Sequence, residues 1–381
     1  MTPDILLISS DHPPMQGGIA RVMKYLCRVV GETRLRVLAP CHSEAVPESY
    51  VIRLPLDRKE PSYKKFFRIL LWSHAAQEEI RRYSIKQIII GVLPPMGVLG
   101  LLLRYSTGTP YFIFAHASEI PTQKDSPWRR FLAKSIYEHS AQVLCVSHYA
   151  MNRVKAIASQ ANCSIISHGV DIHRFQRKNK NPELISRYGL QNKKVFLCLG
   201  RLVQRKGYDR AIEAFEKVLV KHSHAVLIIA GDGPDRKFLG ALAERLGISH
   251  AVRFVGFVKE DELADIYNLA DIFLFLSREE HGDAEGFGLV ILEAFACGCA
   301  VIGGRSGAIP EVIQEGRTGL LADPHNSNEI AEKMAQLFND ESFRKNLADN
   351  GYAYAQSQSW EAFGRRLLQI LDQSKEPAVP C

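Results

Sequence analysis

The chain has 381 residues, 46% hydrophobic and 23% charged, a balance that excludes disordered and fibrous classes and fits a soluble globular protein. Its length exceeds what one compact core usually covers, so we expect two domains. The net charge of +7 is uneven, because residues 1–170 contain 21 Lys and Arg against 12 Asp and Glu. This basic half favours an anionic membrane surface or a phosphorylated acceptor; no zinc, RNP-type or basic-helix motif supports nucleic acid.

The start of the chain and its apolar runs predict a cytoplasmic protein. Residues 1–4 lack the basic region of a signal peptide and lead directly into a strand-like run. The longest apolar candidate for a membrane span, residues 92–103, is interrupted by two prolines. The cysteines are scattered, and the spacing of Cys297 and Cys299 is too tight for a zinc site. We therefore expect reduced thiols and no metal site.

In the N-terminal half, short apolar runs alternate with helical patterns, which predicts a doubly wound parallel sheet. The predicted strands are residues 5–9, 36–39, 87–92, 111–115 and 142–146. Gly17 and Gly18 follow the first strand and precede a helical pattern, where backbone N–H groups can meet a phosphate. A turn explains this glycine pair equally well, and the dinucleotide fingerprint G-x-G-x-x-G is missing.

The segment 62–72 mixes cations with large apolar side chains. As a helix it could lie in a membrane interface, with Lys64, Lys65 and Arg68 near anionic headgroups. The alternative is a domain helix that packs onto its sheet. Together with the basic N-terminal half, the segment leads to the hypothesis of peripheral association with the inner face of a membrane and a lipid-linked acceptor.

His116 ends the predicted strand 111–115, at the edge where open parallel sheets bind ligands. A lone histidine is more often structural. Its position, with Glu119 one turn later, favours a functional role.

Residues 174–194 are polar and basic, which predicts a linker with a short helix. Strand and helix patterns then alternate again, so a second sheet of the same kind follows. The predicted strands are residues 195–199, 225–230, 252–255, 272–276 and 300–303. Two such sheets predict a binding cleft between the domains. The final helical pattern, 360–373, could pack back on the N-terminal domain or remain on its own domain.

A basic loop follows the strand 195–199. Gly200 begins it, and Arg201 and Lys206 lie where a ligand of an open sheet binds. The two cations could neutralise a diphosphate, and the alternative is a solvated basic loop. The turn that starts at Gly231 has strong turn chemistry, and a structural role explains most of this motif. Its location also predicts a place beside the base or ribose of a ligand.

Glu285 and Glu293 bracket a glycine-rich helix start. Positions eight apart lie about 80° out of phase on a helix, so Glu285 is expected in the loop and Glu293 two turns inside the helix. The glycines allow the backbone to approach a ligand at a helix N-terminus. This arrangement suits a ligand with phosphate in the middle and hydroxyl groups at both ends, such as a nucleotide sugar.

The motifs GRLVQRKG, IIAGDGP, VRFVGFV, EGFGLVILEAFACG and GAIPEVI resemble the retaining glycosyltransferases of family 4. The resemblance implies the GT-B fold class, α/β with two Rossmann-like doubly wound domains, a deep interdomain cleft and a C-terminal helix that crosses back. The expected acceptor-binding domain is 1–172, the donor-binding domain 173–355 and the helix 356–381. The spacing around 282–298 is most similar to the bacterial phosphatidylinositol-mannosyltransferase branch.

The resemblance also implies roles for single residues. Arg201 and Lys206 match the pair that binds the donor diphosphate, Glu285 the carboxylate near the donor-sugar hydroxyls, and Glu293 the one that holds the ribose. Gly17 and Gly18 match a loop near the phosphates and the acceptor, and His116 matches a histidine that contacts the donor sugar. The expected catalytic set is Arg201, Lys206, Glu285 and His116, and the expected donor-binding set is Gly17, Gly18, Gly200, Gly231, Gly288, Leu289, Val290 and Glu293.

The sequence departs from the family pattern after the histidine, where Ala117 replaces a frequent glycine. The implied reaction transfers a hexosyl group from GDP-mannose or a UDP-sugar to a hydroxyl acceptor, without a metal or a cofactor. A sugar-nucleotide epimerase of the same fold and a binding protein derived from the enzyme are the alternatives. The two acidic positions and the upstream Arg201 and Lys206 favour the transferase.

Overall fold

The computed structural model describes residues 2–15, 17–56 and 62–373, without the side chains of 62–66. The chain forms two compact units. The first contains Met1–His168 together with Trp360–Cys381, and the second contains Gly169–Ser359. The first unit is therefore discontinuous in sequence. The division expected from the sequence lies at residues 172/173 and 355/356.

The first unit contains a parallel sheet of seven strands in the order β3-β2-β1-β4-β5-β6-β7. Its strands are β1 (Ile5–Ile8), β2 (Leu35–Pro40), β3 (Val51–Leu54), β4 (Gln87–Ile90), β5 (Tyr111–Ala115), β6 (Gln142–Cys145) and β7 (Cys163–Ile165). Its helices are α1 (Gly18–Val30), α2 (Ser62–Tyr83), α3 (Met96–Thr107), α4 (Pro127–Glu138), α5 (His148–Ile157) and, from the end of the chain, α14 (Trp360–Gln373). Because β1 pairs with both β2 and β4, the strand order reverses between β1 and β4. Such a switch point opens a ligand crevice at the carboxyl ends of the strands.

The second unit repeats this topology with a parallel sheet in the order β10-β9-β8-β11-β12-β13. Its strands are β8 (Lys194–Leu199), β9 (Ala225–Ala230), β10 (Val252–Gly256), β11 (Ile272–Phe275), β12 (Ala300–Gly304) and β13 (Leu320–Ala322). Its helices are α6 (Pro182–Tyr188), α7 (Tyr208–Leu219), α8 (Arg236–Arg245), α9 (Leu263–Leu269), α10 (Leu289–Ala296), α11 (Ile309–Val312), α12 (Ser327–Asn339) and α13 (Glu341–Ser357). Here the switch point lies between β8 and β11.

All ten predicted strands are present, since their buried apolar runs are what parallel strands covered on both faces require. The sequence did not predict β3, β7 and β13. The residues of β3 are all half-buried, so the strand has no continuous apolar run. Strands β7 and β13 have three residues each, which is too short for a periodic pattern.

Helix α14 packs on α1 within the first unit. The rings of Tyr25 and Trp360 stack with centroids 4.5 Å apart and planes 8° from parallel. Gly364 permits close approach, because a Cβ at this position would lie 2.7 Å from the Val29 Cβ. The amide of Gln87 donates to the Leu371 carbonyl at 2.7 Å, which ties α14 to the start of β4.

Candidate functional site

A lysine and a glutamate meet near the switch point of the second sheet. Lys206 ends a single 3₁₀ turn after β8, and Gly207 follows with φ of +70°. The Lys206 ammonium donates to Glu285 Oε2 at 2.6 Å and lies 4.7 Å from the centre of the Phe275 ring. Glu285 lies in the loop before α10, as the glycines after it predict. The structure thus brings together two residues that are 79 positions apart in sequence.

Two opposing effects set the pKa of the Glu285 carboxyl group. Burial raises this pKa, and the neighbouring Lys206 and Arg205 lower it more strongly, so the net pKa is below the ordinary value. The carboxyl group is therefore ionised at neutral pH. An ionised carboxylate only accepts hydrogen bonds, so Glu285 is suited to receive them from sugar hydroxyl groups.

The loops after β8 and β9 pack backbone against backbone. Gly231 has φ of +129°, and a Cβ there would lie far inside contact distance of the Gly200 carbonyl oxygen. Gly200 N–H donates to the Ala230 carbonyl at 2.9 Å, and Gly231 N–H donates to the Gly256 carbonyl at 2.7 Å. Gly200 and Gly231 therefore have a packing function, whatever ligand lies beside them.

The N-terminus of α10 adjoins the Glu285 loop. Gly288 caps it in the left-handed region, with φ of +89° and ψ of +58°. The half-buried Leu289 and Val290 begin the first turn, where backbone N–H groups have no intrahelical acceptor. Together with the helix dipole, these groups favour an anion at this end.

Glu293 is the fifth residue of α10, and its side chain is buried. It lies a little over one turn from the helix start, so the predicted depth of two turns is wrong, because the helix begins only at Leu289. Its Oε2 accepts a hydrogen bond from the Tyr267 hydroxyl of α9 at 2.9 Å. The predicted contact with a ribose stays a prediction.

Arg201 differs from Lys206 in its surroundings. Its side chain is exposed, and its guanidinium has no ion-pair or hydrogen-bond partner in the described part of the chain. It is therefore free to bind an anion without first breaking an internal contact.

In the first unit, the glycine pair after β1 precedes α1 directly. Gly17 has φ of +138° and ψ of +166°, and Gly18 is the first helical residue. A Cβ on Gly17 would meet no atom within 4 Å, so the backbone conformation alone requires glycine there.

His116 is held in place through both its ring and its backbone N–H. Its Nε2 lies 2.9 Å from the Gly91 carbonyl, which only accepts, so Nε2 is the donor, and in the neutral ring Nδ1 is then an acceptor. Nδ1 is buried and has no partner among the described residues. The backbone N–H of His116 donates to Glu119 Oε1 at 2.6 Å, and Ala117 has φ of +90°. Ala117 thus adopts the conformation that the frequent glycine would favour.

Comparison with known proteins assigns the chain to a family. Residues 16–174 match the model described as Glycosyltransferase Family 4, and residues 180–354 match Glycosyl transferases group 1. A GDP-mannose-dependent alpha-(1-6)-phosphatidylinositol monomannoside mannosyltransferase of Mycolicibacterium smegmatis is 30% identical over 391 residues, which cover 98% of this chain and 99% of that protein. The chain belongs to glycosyltransferase family 4. The Mycobacterium tuberculosis protein of the same description is 29% identical to this glycosyltransferase, over 96% of this chain and 97% of that protein.

Solved structures share the fold of the glycosyltransferase. Anabaena HepE in complex with UDP superimposes with a TM-score of 0.81, at 19% identity, over 97% of this chain and all of that one. Sucrose-phosphate synthase from Thermosynechococcus elongatus superimposes with a TM-score of 0.80, at 21% identity, over 98% of this chain and 99% of that one. The predicted fold, two doubly wound domains of the GT-B class, is confirmed.

Two charged residues beside Lys206 and Glu285 were not among the site residues predicted from the sequence. Arg205 NH1 lies 3.2 Å from Glu285 Oε2, and Arg205 Nε lies 3.1 Å from the Asp283 carboxylate. The available signal was a second cation directly before Lys206 and a second acid two residues before Glu285. Neither position stands out alone, because the fold brings them together.

Proposed function

We propose that this glycosyltransferase moves a hexosyl group, with retention of its anomeric configuration, from a nucleoside-diphosphate sugar to a hydroxyl group of a lipid-linked or cell-envelope acceptor. The observation that carries the proposal is the Lys206–Glu285 pair at the switch point of the second sheet. The Lys206 ammonium is suited to bind a phosphate, and the Glu285 carboxylate is suited to bind sugar hydroxyl groups. GDP-mannose is the first donor to test, because the relatives similar over nearly the whole chain are described as GDP-mannose-dependent.

Departure of the nucleoside diphosphate builds negative charge on a phosphate oxygen. Lys206 and Arg201 stabilise this charge, and the first-turn N–H groups of α10 add to the effect. Preorganised donors of this kind contribute about 3 kcal/mol each to transition-state stabilisation. The same cations remove the need for a metal, so we expect activity to persist in the presence of a chelator.

Retention is compatible with attack from the face on which the diphosphate departs. The acceptor hydroxyl forms the new bond to the anomeric carbon, and its proton passes to the departing phosphate oxygen. Glu285 as a covalent nucleophile is the less favoured alternative, because Lys206 and Arg205 both hold its carboxylate. The free Nδ1 of His116 is suited to accept a hydrogen bond from a donor-sugar hydroxyl.

A donor screen tests the proposal. Thermal unfolding is measured with GDP-mannose, UDP-glucose and ADP-glucose, and one donor is expected to stabilise the protein by linkage. The matched variants are Glu293→Ala, expected to lose this stabilisation, and Tyr267→Phe, which removes the hydroxyl but keeps the carboxylate. Release of nucleoside diphosphate only with an acceptor indicates transfer. Donor isomerisation without release would instead indicate the epimerase, and binding without turnover the derived binding protein.

Exposed apolar side chains support peripheral association with an anionic membrane. Among the residues that the structure describes, seven of the eleven exposed large hydrophobic side chains lie on α2, α3 and α4, neighbouring helices of the first unit. They are Phe67, Leu70, Leu71, Leu102, Tyr105, Trp128 and Phe131. Exposed apolar side chains concentrated in this way mark interaction sites. The Lys64 and Lys65 side chains lie outside the described residues, and Trp72 is fully buried, so part of the segment packs inward as the alternative predicts.

Helix α4 adds cations to this surface. The ring centres of Trp128 and Phe131 lie 5.9 Å apart, and the exposed Arg129 and Lys134 are on the same helix. Tryptophan next to basic residues is typical of membrane-interface anchors. No helix within the described residues is long and apolar enough to cross a bilayer.

Trp128 provides its own probe, because Trp72 and Trp360 are buried. We expect vesicles that contain phosphatidylglycerol to shift its fluorescence to shorter wavelength at low salt, and neutral vesicles to have little effect. Trp128→Ser with Phe131→Ser, measured by sedimentation, should no longer bind the vesicles, whereas Phe238→Ser, at a similarly exposed site on α8, should still bind them. Unchanged binding of the double variant contradicts this surface.

A further inference from the structure

The Glu285 carboxylate has two cationic partners, and one of them is anchored elsewhere. Oε2 lies 2.6 Å from Lys206 Nζ and 3.2 Å from Arg205 NH1. The same guanidinium uses Nε to pair with Asp283 at 3.1 Å. Lys206 has no second carboxylate among the described residues. The two cations therefore differ in their freedom to leave Glu285.

A nucleoside-diphosphate donor creates competition for Lys206. Its phosphates attract the Lys206 ammonium, which is a compact point charge on a flexible stem. If Lys206 turned to the phosphates and nothing replaced it, a largely buried carboxylate would face an added negative charge. Burial and like charge both favour the protonated carboxyl form. A protonated Glu285 would no longer accept hydrogen bonds at both oxygens from a sugar.

The backbone holds Arg205 in place. Its carbonyl accepts a hydrogen bond from Arg278 N–H at 2.9 Å, and Arg278 pairs with Asp209 at the start of α7. Asp283 lies at the end of a tight hairpin, in which Glu280 and Asp283 exchange backbone hydrogen bonds of 2.9 and 2.8 Å. The guanidinium is thus fixed between the hairpin and Glu285.

We propose that Arg205 is a positioning residue that keeps Glu285 ionised and in place when Lys206 turns to the donor diphosphate. The inference rests on the proposed function. Lys206 serves the leaving group, and Arg205 remains as the partner of the carboxylate that receives the sugar. Asp283 fixes the guanidinium so that it does not follow the phosphate.

Few charged or titratable groups in the described part of the chain face Glu285. They are Lys206 and Arg205 from the loop after β8, the Tyr208 hydroxyl of α7, and Asp283 through Arg205. The Ser277 hydroxyl lies 3.5 Å away and does not titrate. Burial raises the pKa of the Tyr208 hydroxyl well above its usual value, so it stays neutral. The acidic limb of activity should therefore report on Glu285.

The test compares kcat against pH for wild type, Arg205→Gln, Arg205→Lys and Arg34→Gln. Arg34 forms an ion pair with Asp4 in the first unit, outside the charge network of Glu285, and serves as the control. Loss of Arg205 raises the pKa of Glu285, so the acidic limb moves to higher pH. We expect the ratio of kcat at about pH 5 to kcat at about pH 8 to be at least threefold lower in Arg205→Gln. This ratio in Arg205→Lys should lie between those of wild type and Arg205→Gln, and the ratio in Arg34→Gln should match wild type.

The variant Glu285→Gln distinguishes a failure of the inference on Arg205 from a failure of the proposed site. If Glu285→Gln is inactive and Arg205→Gln keeps the wild-type pH profile, the inference on Arg205 is wrong. If Glu285→Gln retains wild-type turnover, the proposed site itself is wrong. Should Arg205→Gln fail to fold, Arg205→Lys decides, because a lysine cannot contact Glu285 and Asp283 together, and a wild-type profile in that variant overturns the proposal.

Discussion

Lys206 has two roles, and the effects of one substitution on stability and on rate distinguish them. In the structure it neutralises Glu285, and in the proposed reaction it stabilises the departing diphosphate. The first task affects stability and the second affects rate. Because Arg205 also contacts Glu285, loss of Lys206 leaves the carboxylate with a partner.

We therefore expect Lys206→Ala to lose about 100-fold or more in kcat while the fold is kept. Thermal unfolding should shift only modestly, since Arg205 still compensates the charge. Lys217→Ala is the matched control, because Lys217 binds Ser327 and Asn328 on α12, away from the site. Turnover of Lys206→Ala near the wild-type level would falsify the assignment.

Ala117 stores backbone strain beside His116. Its φ of +90° lies in a region that costs an L-residue about 1–2 kcal/mol. Glycine relieves this strain, but it loses a buried methyl group and gains freedom in the unfolded chain, each worth about 0.5–1 kcal/mol. We expect Ala117→Gly to change the free energy of unfolding by less than about 1 kcal/mol.

The matched variant is Ala115→Gly in β5, where regular strand geometry offers no strain to relieve. It should be destabilised by at least about 1 kcal/mol more than Ala117→Gly. Equal losses in chemical denaturation would show that Ala117 is unstrained in solution. His116 should keep its hydrogen bond to Gly91 in either case.

At the scale of the elements, the loops after β8 and β9 leave no room for a side chain at Gly231. A Cβ on Gly231 would collide with the Gly200 carbonyl, so the loops must separate or the backbone must change. We expect Gly231→Ala to lose more than about 2 kcal/mol in unfolding free energy, from steric overlap and a strained φ together. The measurement is chemical denaturation.

Gly247→Ala is the control for the conformational part of this loss. Gly247 has φ of +70°, and a Cβ added there would meet no atom within 4 Å, so only backbone strain acts at this position. The free energy of unfolding of Gly247→Ala should be about 1 kcal/mol lower than that of wild type. If both variants lose the same amount, close packing of the two loops is not what requires glycine at 231.

The elements also explain which parts the sequence could predict. Long buried strands such as β9, with six buried residues, can be predicted from their apolar composition alone. Short strands such as β7 form because a neighbouring strand provides the hydrogen-bond partners, and no local pattern encodes that. In the site, Lys206 and Glu285 were identified by their motifs. Arg205 and Asp283 could not be, because their importance depends on a contact between residues far apart in sequence.

At the scale of the whole molecule, a bound donor should act mainly on the second unit. Of the predicted donor contacts, the charged residues Arg201, Lys206, Glu285 and Glu293 belong to this unit, whereas Gly17, Gly18 and His116 belong to the first. A ligand at 100 times its dissociation constant stabilises the state that binds it by about 2.7 kcal/mol. We expect a nucleoside diphosphate alone to raise the melting temperature by several degrees, and in hydrogen exchange to protect residues of 169–359 more than those of 1–168.

Uniform protection over both units would contradict this expectation. The variant Glu293→Ala provides the control, since it should reduce the protection near α10 without altering exchange in β1 or β4.

The return of α14 to the first unit affects how the protein can be made. A ribosome completes residues 169–359 before Trp360 emerges, so the second unit can fold while the first still lacks its last helix. Until then the apolar surface of α1 around Tyr25 lies open, and incomplete chains of this kind are prone to aggregate. We expect a fragment of residues 169–359 to be recovered as a folded monomer, and a fragment of residues 1–168 to aggregate unless a peptide of residues 360–373 is supplied. If the chain were split into two separately encoded parts, the enzyme could therefore form only if α14 were still able to pack on α1.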